Sequence, residues 1–540
     1  MEIFIGIRIS FTSHRSGSRR IITLKAQGVI FLFPNHQRTI IIHNSQRAQG
    51  ACTSKTLQYS MESRVQSVTE NPLESKGRLH GQAAKRWEGK TLFIILDAGT
   101  AIRNILRTNV FKCLQNEKWL RIVIFSPITD AEFKREFESE NVIVEPVQFW
   151  KANSVVKTLR SLRKDFWIRQ FELARFKEKR TKKTRLLTSL TAALFLRKAT
   201  PQKVRDLVDR LQRWENASTP SLGDRYFDEY KPDLVFYATI YSRDLCLEVG
   251  AKQRGIKTAA FILSWDNPTT KGPFPVRPDR VVLWNDILRQ ELMTYHHFER
   301  ADLCVAGVPQ FDIYTDRSPY LTRSEFFKKW NLDPTRKLIT YTTGTPGTAP
   351  FDHEIIHLLY ERMQSGAFKQ PCQLLVRLHP KDILEIYKTL ENKPDLVILL
   401  PGRRAKTNDS WNPTREDMYG LAELMCYSDV VVNIASTITI DAAAFDTPIV
   451  NVAFDGYKPK PFDQSCRRYY DYEHYKRLVQ TDGFKISYSI EDLVKHIQEY
   501  LDDPALDSAG RDRIREEQCW KLDGQAGRRI AEFLLDFIRE

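Results

Sequence analysis

The sequence predicts an α/β chain of two Rossmann-like, doubly wound domains facing a cleft, with a basic helical insertion in the first domain. Three observations lead there. From residue 91 onward, short β-branched apolar runs alternate with helical stretches in two successive series, as a parallel sheet covered on both faces requires. Residues 428–455 read as a complete βαβ unit. At 540 residues and 42% hydrophobic, the chain is long enough to bury more than one core.

Before the first series comes a lead-in unlike the rest. Residues 1–60 hold one acidic residue, Glu2, show no clear periodicity, and carry clusters such as Ser16-Gly17-Ser18-Arg19-Arg20. Such Arg and Ser richness also suits a transit peptide, but the preferred reading makes Met61 the true start, with residues 61–90 a polar lead-in. Residues 1–90 are therefore expected to be a poorly structured extension.

The first domain is expected over residues 91–315. Its strands read as Leu92–Leu96, Arg121–Phe125, Asn141–Val147, Asp233–Tyr237, Thr258–Leu263, Arg280–Trp284 and Leu303–Ala306. Residues 151–215 interrupt them with a helical segment broken at Pro201. The second domain, expected over 316–515, opens with a helix at Ser324–Trp330. Its strands are Leu338–Thr342, Gln373–Leu378, Leu396–Leu400, Val430–Ile434, Ile449–Phe454 and a weaker Phe484–Ser487. Residues 516–540 end in a helix over about Gln525–Ile538, which could pack back on the first domain.

Charge is unevenly placed. Of a net +15, the insertion 151–215 holds nineteen Lys and Arg against six Asp and Glu, and residues 1–90 hold fourteen against five, so the remainder is mildly acidic. Trp167, Phe171, Phe176, Leu186, Leu187, Leu190 and Phe195 interleave with the insertion's cations. That composition suits an anionic membrane surface or a merely solvated helical insertion. No nucleic-acid reading module is present, so no nucleic-acid partner is expected. The longest apolar stretch, Leu186–Leu196, is too short and too interrupted to span a bilayer. Eight scattered cysteines without a Cys-x-x-Cys pair argue against a zinc site or a disulfide framework, and for a reducing cytosol.

Three strand ends carry the candidate chemistry. The turn with Ser436 and Thr437 opens a helix of small residues, Ala442–Ala444, at the edge where open parallel sheets bind ligands. Arg377 and His379 alternate with apolar neighbours and so share a face, where they could neutralise phosphates or be a satisfied strand end. Thr343-Gly344-Thr345-Pro346-Gly347-Thr348 offers close backbone approach at Gly344, with Thr345 beside it. In the first domain, Gly99 and Arg103 follow the opening strand, Arg103 facing an anionic acceptor or a helix-face carboxylate. Asp266 would stand at the cleft as a general base or a loop cap.

Arg377-Leu378-His379-Pro380, then Ser436-Thr437 with Asp441 after Ser428-Asp429, resemble the second half of the GT-B glycosyltransferases of surface polysaccharides, a group that includes the CDP-glycerol glycerophosphotransferases. Val305-Ala306-Gly307-Val308-Pro309-Gln310-Phe311-Asp312 also resembles the Gly-x-Pro-x-Phe-Asp segment that closes the first domain in that group. The resemblance covers about residues 91–515, its specific motifs mostly within 370–460. It implies that His379, Ser436 and Thr437 hold the donor's phosphates and that Asp441 meets its ribose or glycerol part. Where the glycerophosphotransferases carry a catalytic histidine, this chain has Trp265-Asp266-Asn267-Pro268, which favours a sugar transferase with Asp266 as base.

The resulting expectation is a cytoplasmic GT-B glycosyltransferase, peripheral on the inner face of the plasma membrane if the insertion touches lipid. It would move a sugar from a nucleotide-sugar donor to a glycan or lipid-linked acceptor, with no metal or other cofactor. The alternatives are a CDP-glycerol-type polyol phosphotransferase, a UDP-sugar 2-epimerase, and a catalytically silent scaffold for glycan assembly.

Overall fold

Runs such as Val430-Val431-Val432, β-branched and apolar on both faces, can only be strands covered on both sides, and all three residues are fully buried. The computed structural model describes residues 10–16, 19–25, 87–147, 150–171, 173–175, 200–220, 223–238, 245–402 and 411–540. The chain divides into two units, Met1–Ala83 and Ala84–Glu540.

In the first unit, β1 (Ser10–Ser16) and β2 (Arg19–Lys25) pair antiparallel, with Ser16 opposite Arg19. A ladder therefore stands within the stretch read as a poorly structured extension. The intervening Gly17-Ser18 is a two-residue connection with turn chemistry, and the backbone ladder needs no side-chain periodicity to form.

The second unit holds two parallel sheets. The first comprises β3 (Lys90–Ile95), β4 (Leu120–Ser126), β5 (Val142–Pro146), β6 (Leu234–Tyr237), β7 (Lys257–Phe261), β8 (Arg280–Leu283) and β9 (Leu303–Val305). Its spatial order is β5-β4-β3-β6-β7-β8-β9. The second comprises β10 (Lys337–Thr342), β11 (Cys372–Arg377), β12 (Leu396–Leu399), β13 (Val430–Asn433), β14 (Ile449–Val452) and β15 (Lys485–Ser487), ordered β12-β11-β10-β13-β14-β15. In both sheets the order reverses between the first strand and the fourth, which is the doubly wound pattern. Each sheet thus has a switch point, β3/β6 and β10/β13, where a crevice opens beyond the strands' C-terminal ends. The fold is the expected one: two Rossmann-like domains facing a cleft, the GT-B arrangement.

Among the described residues, the insertion holds two packed helices, Ser154–Gln170 and Pro201–Ala217, the second with Thr200 as N-cap and Pro201 in its first turn. Several of its described apolar residues turn inward, while Val155 and Trp214 stand exposed. Trp167 is buried against His296 and donates its indole N–H to the Tyr295 carbonyl at 2.8 Å. Glu215, fully buried, accepts from Arg160 and Arg163 at 2.8 and 2.9 Å. The insertion is thereby anchored to the first domain. Phe176, Leu186, Leu187, Leu190 and Phe195 lie outside the described residues.

The last helix, Ala526–Arg539, returns to the first domain. Asp312 accepts the N–H groups of Ala526 and Gly527 at 2.9 and 2.8 Å, and Lys257 donates to the Phe537 carbonyl at 3.0 Å. No helix among the described residues is long and apolar enough to cross a membrane.

Candidate functional site

Strand ends of both sheets converge on one cavity of about 410 Å³. The second domain contributes the loops after β10, β11 and β13, and the first contributes Ala98–Arg103 after β3. Nine of the ten residues singled out in the sequence line it: Gly99, Arg103, Gly344, Thr345, Arg377, His379, Ser436, Thr437 and Asp441. Asp266 does not.

Each loop is held by its own local chemistry. After β10, Asp352 accepts the Gly344 N–H at 2.7 Å and the Tyr341 hydroxyl at 2.6 Å. Burial pushes the Asp352 carboxyl up to about 7. A Cβ on Gly344 would come within 2.7 Å of the Ala349 methyl, so the loop closes only around glycine. After β11, the His379 N–H donates to Thr343 Oγ1 at 2.7 Å and to Asp382 at 3.0 Å. His379 Nδ1 accepts the Lys381 N–H at 3.0 Å. Burial, with Lys381, Arg377 and Arg103 nearby, lowers the His379 imidazole to about 4. It is therefore neutral at pH 7. Because Nδ1 is an acceptor, the ring proton sits on Nε2 and is available for donation.

The turn after β13 corrects one expectation. The helix it opens, Ile438–Ala444, has only seven residues, so its end carries little dipole of its own. Its first amides are also spent internally. Ser436 Oγ takes the Ile438 N–H at 3.2 Å, and the Thr437 carbonyl takes those of Ile440 and Asp441 at 2.8 and 3.1 Å. Ser436 Oγ in turn donates to Asn433 at 3.1 Å, while the Thr437 side chain makes no capping bond. The groups of this turn that face the cavity are therefore mainly side chains.

Other lining side chains are charged. Arg103 and Arg377 come from different domains, and each lowers its own pKa chiefly through burial, Arg377 to about 10. Both remain cations at neutral pH. Asp441 faces both guanidiniums. Burial raises its pKa, and its Oδ1 accepts the Tyr314 hydroxyl at 2.5 Å. Among the described residues, Lys381 is a further cation on the wall, against Asp441 as the lining carboxylate. Asp417, the other carboxylate near Arg377, is occupied as a cap, accepting the N–H groups of Gly402 and Thr414 at 2.9 and 2.8 Å. Buried positive charge in excess of its partners favours an anionic ligand. Two further wall atoms, Gln310 Oε1 and Thr342 Oγ1, are buried without a hydrogen-bond partner in the protein. They call for hydroxyl or amide groups on that same ligand.

No family model matches the chain, and no curated protein matches it. Solved structures of related chain path exist. UDP-GlcNAc 2-epimerase from Neisseria meningitidis, bound to UDP-GlcNAc, is 11% identical with a TM-score of 0.48 over 83% of this chain and 100% of that one. A glycosyltransferase from Rickettsia africae is 11% identical, with a TM-score of 0.44 over 83% and 99%. The wall teichoic acid polymerase TagF is also 11% identical, with a TM-score of 0.46 over 83% and 89%.

Asp266 lies in the loop after β7, at the N-cap position of the short helix Asn267–Thr270 but with no side-chain capping bond. Its Oδ1 accepts the Ser264 hydroxyl at 2.5 Å and its Oδ2 the Thr270 hydroxyl at 2.7 Å. Burial acts to raise its pKa, but His474, Lys271 and these hydroxyls outweigh it and hold the carboxyl below its usual range. Across from it, the His474 ring stands edge-on to Trp265 at 4.8 Å, neutral because burial lowers it to about 4.

Gln310, Tyr314, Thr342 and Trp411 belong to the site or its support, and sequence reasoning gave none of them a role. Gln310 stands inside the quoted Val305–Asp312 segment, the one signal that pointed toward it. Trp411 packs on Gly99, where a Cβ would overlap its carbonyl oxygen. Among the described residues, no group of three or more His, Cys, Asp or Glu is arranged to hold a metal.

Proposed function

We propose that this chain is a glycosyltransferase that moves a sugar from a nucleotide-sugar donor to a hydroxyl acceptor in cell-surface glycan assembly. One observation carries the reading. Two half-buried guanidiniums from opposite domains, a neutral His379 and the Thr437 hydroxyl line one cavity at both switch points, together with the unpartnered Gln310 and Thr342 oxygens. Cations answer a diphosphate, and the unpartnered acceptors answer hydroxyls of a ribose or sugar. In the transfer step the bond between the anomeric carbon and the diphosphate oxygen breaks as the acceptor oxygen bonds that carbon. Arg103, Arg377 and Lys381 stabilise the charge that collects on the leaving nucleotide, and His379 Nε2–H donates to a phosphate oxygen. Arg103, read from sequence as an acceptor ligand, is thereby proposed to serve the donor's phosphates from the acceptor side.

Asp266 is proposed to take the acceptor's proton, oriented by Ser264 and Thr270. Its lowered pKa keeps it ionised through the working range while limiting its basicity. An epimerase would need acid and base groups at the sugar, and among the described residues the cavity wall offers one carboxylate, Asp441, which supports transfer. A polyol phosphotransferase is the second reading, because the same cations would serve attack at phosphorus.

Thermal unfolding against UDP, GDP, CDP, UDP-sugars and CDP-glycerol tests the proposal, since a ligand of the native state raises its melting point. Stabilisation by UDP or GDP that is lost in Arg377→Gln supports sugar transfer. A response confined to CDP and CDP-glycerol would replace it with phosphotransfer. No response to any of them would overturn both.

A further inference from the structure

A second cavity, of about 530 Å³, lies on the first domain where the insertion meets the body. Along the insertion helix Pro201–Ala217, Arg205, Asp209, Gln212, Arg213 and Asn216 recur at helical spacing. They share one face, and all five line the cavity. The opposite wall comes from segments that precede strands. Lys252 lies in the last turn of the helix before β7, Arg277 precedes β8, and His296 and His297 end the helix before β9. In a parallel sheet such segments stand at the N-terminal edge, whereas the first cavity opens at the C-terminal edge. The five residues of β7 alone separate the two edges by roughly 16 Å. The cavities are therefore separate sites.

Among the described residues, none of the wall's three guanidiniums, Arg205, Arg213 and Arg277, forms an ion pair with a carboxylate. Arg277 donates to the carbonyls of His296 and His297 at 2.7 and 2.9 Å and lies 3.8 Å over the Phe298 ring, contacts that leave its charge uncancelled. Asp209, exposed, is the carboxylate on the wall. The fourth cation, Lys252, is taken by Asp279. Beyond the wall, Asp302 is held by Arg280 at 2.8 Å, Asp206 shares its helix with Lys203 and Arg210, and Glu299 is exposed beside Arg300. The wall thus keeps three guanidiniums against one carboxylate. Three polar atoms at its surface, Arg205 Nε, Asn216 Oδ1 and His297 Nε2, are buried without a hydrogen-bond partner. Such atoms call for a ligand with both acceptor and donor groups. An adjoining recess of about 40 Å³ shares Arg205 and His297 and adds Pro273 and the half-buried Tyr295.

We propose that this second cavity binds the phosphate monoester of a sugar or polyol. Guanidinium forks match phosphate oxygens two at a time. Three of them against one carboxylate answer a dianion better than a singly charged carboxylate or diester. The Asn216 oxygen and the Asp209 carboxylate accept from hydroxyls beside the phosphate, and the recess at Tyr295 and Pro273 offers an apolar surface to the carbon skeleton. Cations spaced along one face of the insertion helix thereby meet a ligand in the protein's own groove. The site does not depend on which ligand the first cavity takes.

Calorimetric titration of the full chain with glucose 1-phosphate, glucuronate, glucose and inorganic phosphate tests this. Glucose 1-phosphate is expected to bind most tightly, and more weakly as salt is raised. The double variant Arg205→Gln/Arg213→Gln should bind it roughly tenfold more weakly or worse, since charge-assisted bonds are lost. Arg377→Gln, in the first cavity, should retain this binding. Arg213 is exposed, so Arg213→Gln alone should melt at the parent's temperature and still weaken binding, which keeps the test decisive if the double variant unfolds. Absence of glucose 1-phosphate binding would overturn the proposal. So would loss in Arg377→Gln with retention in the double variant, which would place the phosphate in the first cavity. Equal affinity for inorganic phosphate would overturn the carbohydrate assignment, and equal affinity for glucuronate would overturn the phosphate one.

Discussion

Tyr314 donates its hydroxyl to Asp441 at 2.5 Å across 127 positions of sequence, tying the end of the first domain to the helix that borders the cavity. Both groups are buried, and the carboxylate also faces Arg103 and Arg377. The bond therefore sets where the one lining carboxylate points, and how much of the guanidinium charge remains for a ligand.

Tyr314→Phe removes that donor without changing shape. A buried carboxylate losing one hydrogen bond costs about 1–3 kcal/mol. The freed charge would also turn toward the arginines and weaken anion binding. Urea unfolding should show the stability loss with an unchanged slope, and calorimetry with UDP should show lower affinity than the parent protein.

Arg377→Gln and Arg103→Gln should each weaken nucleotide diphosphate binding by roughly tenfold or more, since a charge-assisted bond in a buried site contributes about 1.5–3 kcal/mol. The double variant is expected to lose less than the sum. Burial lowers the Arg377 pKa and the Arg103 guanidinium lowers it further, so removing Arg103 relieves repulsion on its neighbour. Titration of the two singles and the double with UDP gives the coupling directly. Strict additivity would mean that the two arginines do not share an anion.

Gly99→Ala should be disruptive although alanine is the better helix former. A Cβ at Gly99 would overlap the Trp411 carbonyl oxygen and press on its ring. Overpacking of this kind costs about 1–3 kcal/mol. Because the overlap lies on the cavity wall, nucleotide affinity should fall along with the melting temperature. A variant as stable as the parent would show that the contact can yield.

Much of this was legible in local sequence, and the reason is length scale. The strand at Val430 and the small-residue helix after it are specified within some twenty residues, by β-branched runs, a hydroxyl turn and alanines. Convergence of Arg377, His379 and Thr437 followed from parallel-sheet geometry once those strands were placed. Tyr314 and Trp411 could not be found that way. Each meets the site through packing between elements more than a hundred residues apart. Asp266 was read at the correct strand end, yet only the structure shows both its oxygens engaged by Ser264 and Thr270. The pairing of Ser10–Ser16 with Arg19–Lys25 was missed because it rests on backbone bonds, with no apolar alternation to announce it.

Acid should destabilise the second unit through its buried imidazoles. His296 is 6% exposed, packed between Trp167 and Phe274, and its Nε2–H donates to the Pro268 carbonyl at 2.9 Å. Burial lowers it to about 3. Folded pKa lies below unfolded pKa, so the unfolded chain binds the proton more readily. The native state therefore loses stability as pH falls from about 6.5 toward 3, by up to ~1.4 kcal/mol per pH unit for one such group. His379 and His474, each lowered to about 4, add to the slope over the upper part of that range. Unfolding free energies between pH 7 and pH 4 should show the decline. His379→Gln should make it shallower, because that variant has no imidazole to protonate at the site.

Asp266→Asn separates a catalytic carboxylate from a structural one. Ser264 and Thr270 can still donate to the amide's single oxygen in turn, but one hydroxyl must turn toward the new amino group. If Asp266 takes the acceptor's proton, turnover of the nucleotide sugar that binds should fall by about 10²–10⁴. Donor affinity should stay near that of the parent protein, because Asp266 is not on the cavity wall. A carboxylate serving only to hold the Ser264 and Thr270 hydroxyls would give another signature. The melting temperature would drop and turnover of the folded fraction would be nearly unchanged. Single-turnover measurement at saturating donor, with calorimetry on the same samples, decides between these outcomes. Normal turnover in the folded variant would move the base to His474, whose ring stands beside Asp266 on the opposite domain.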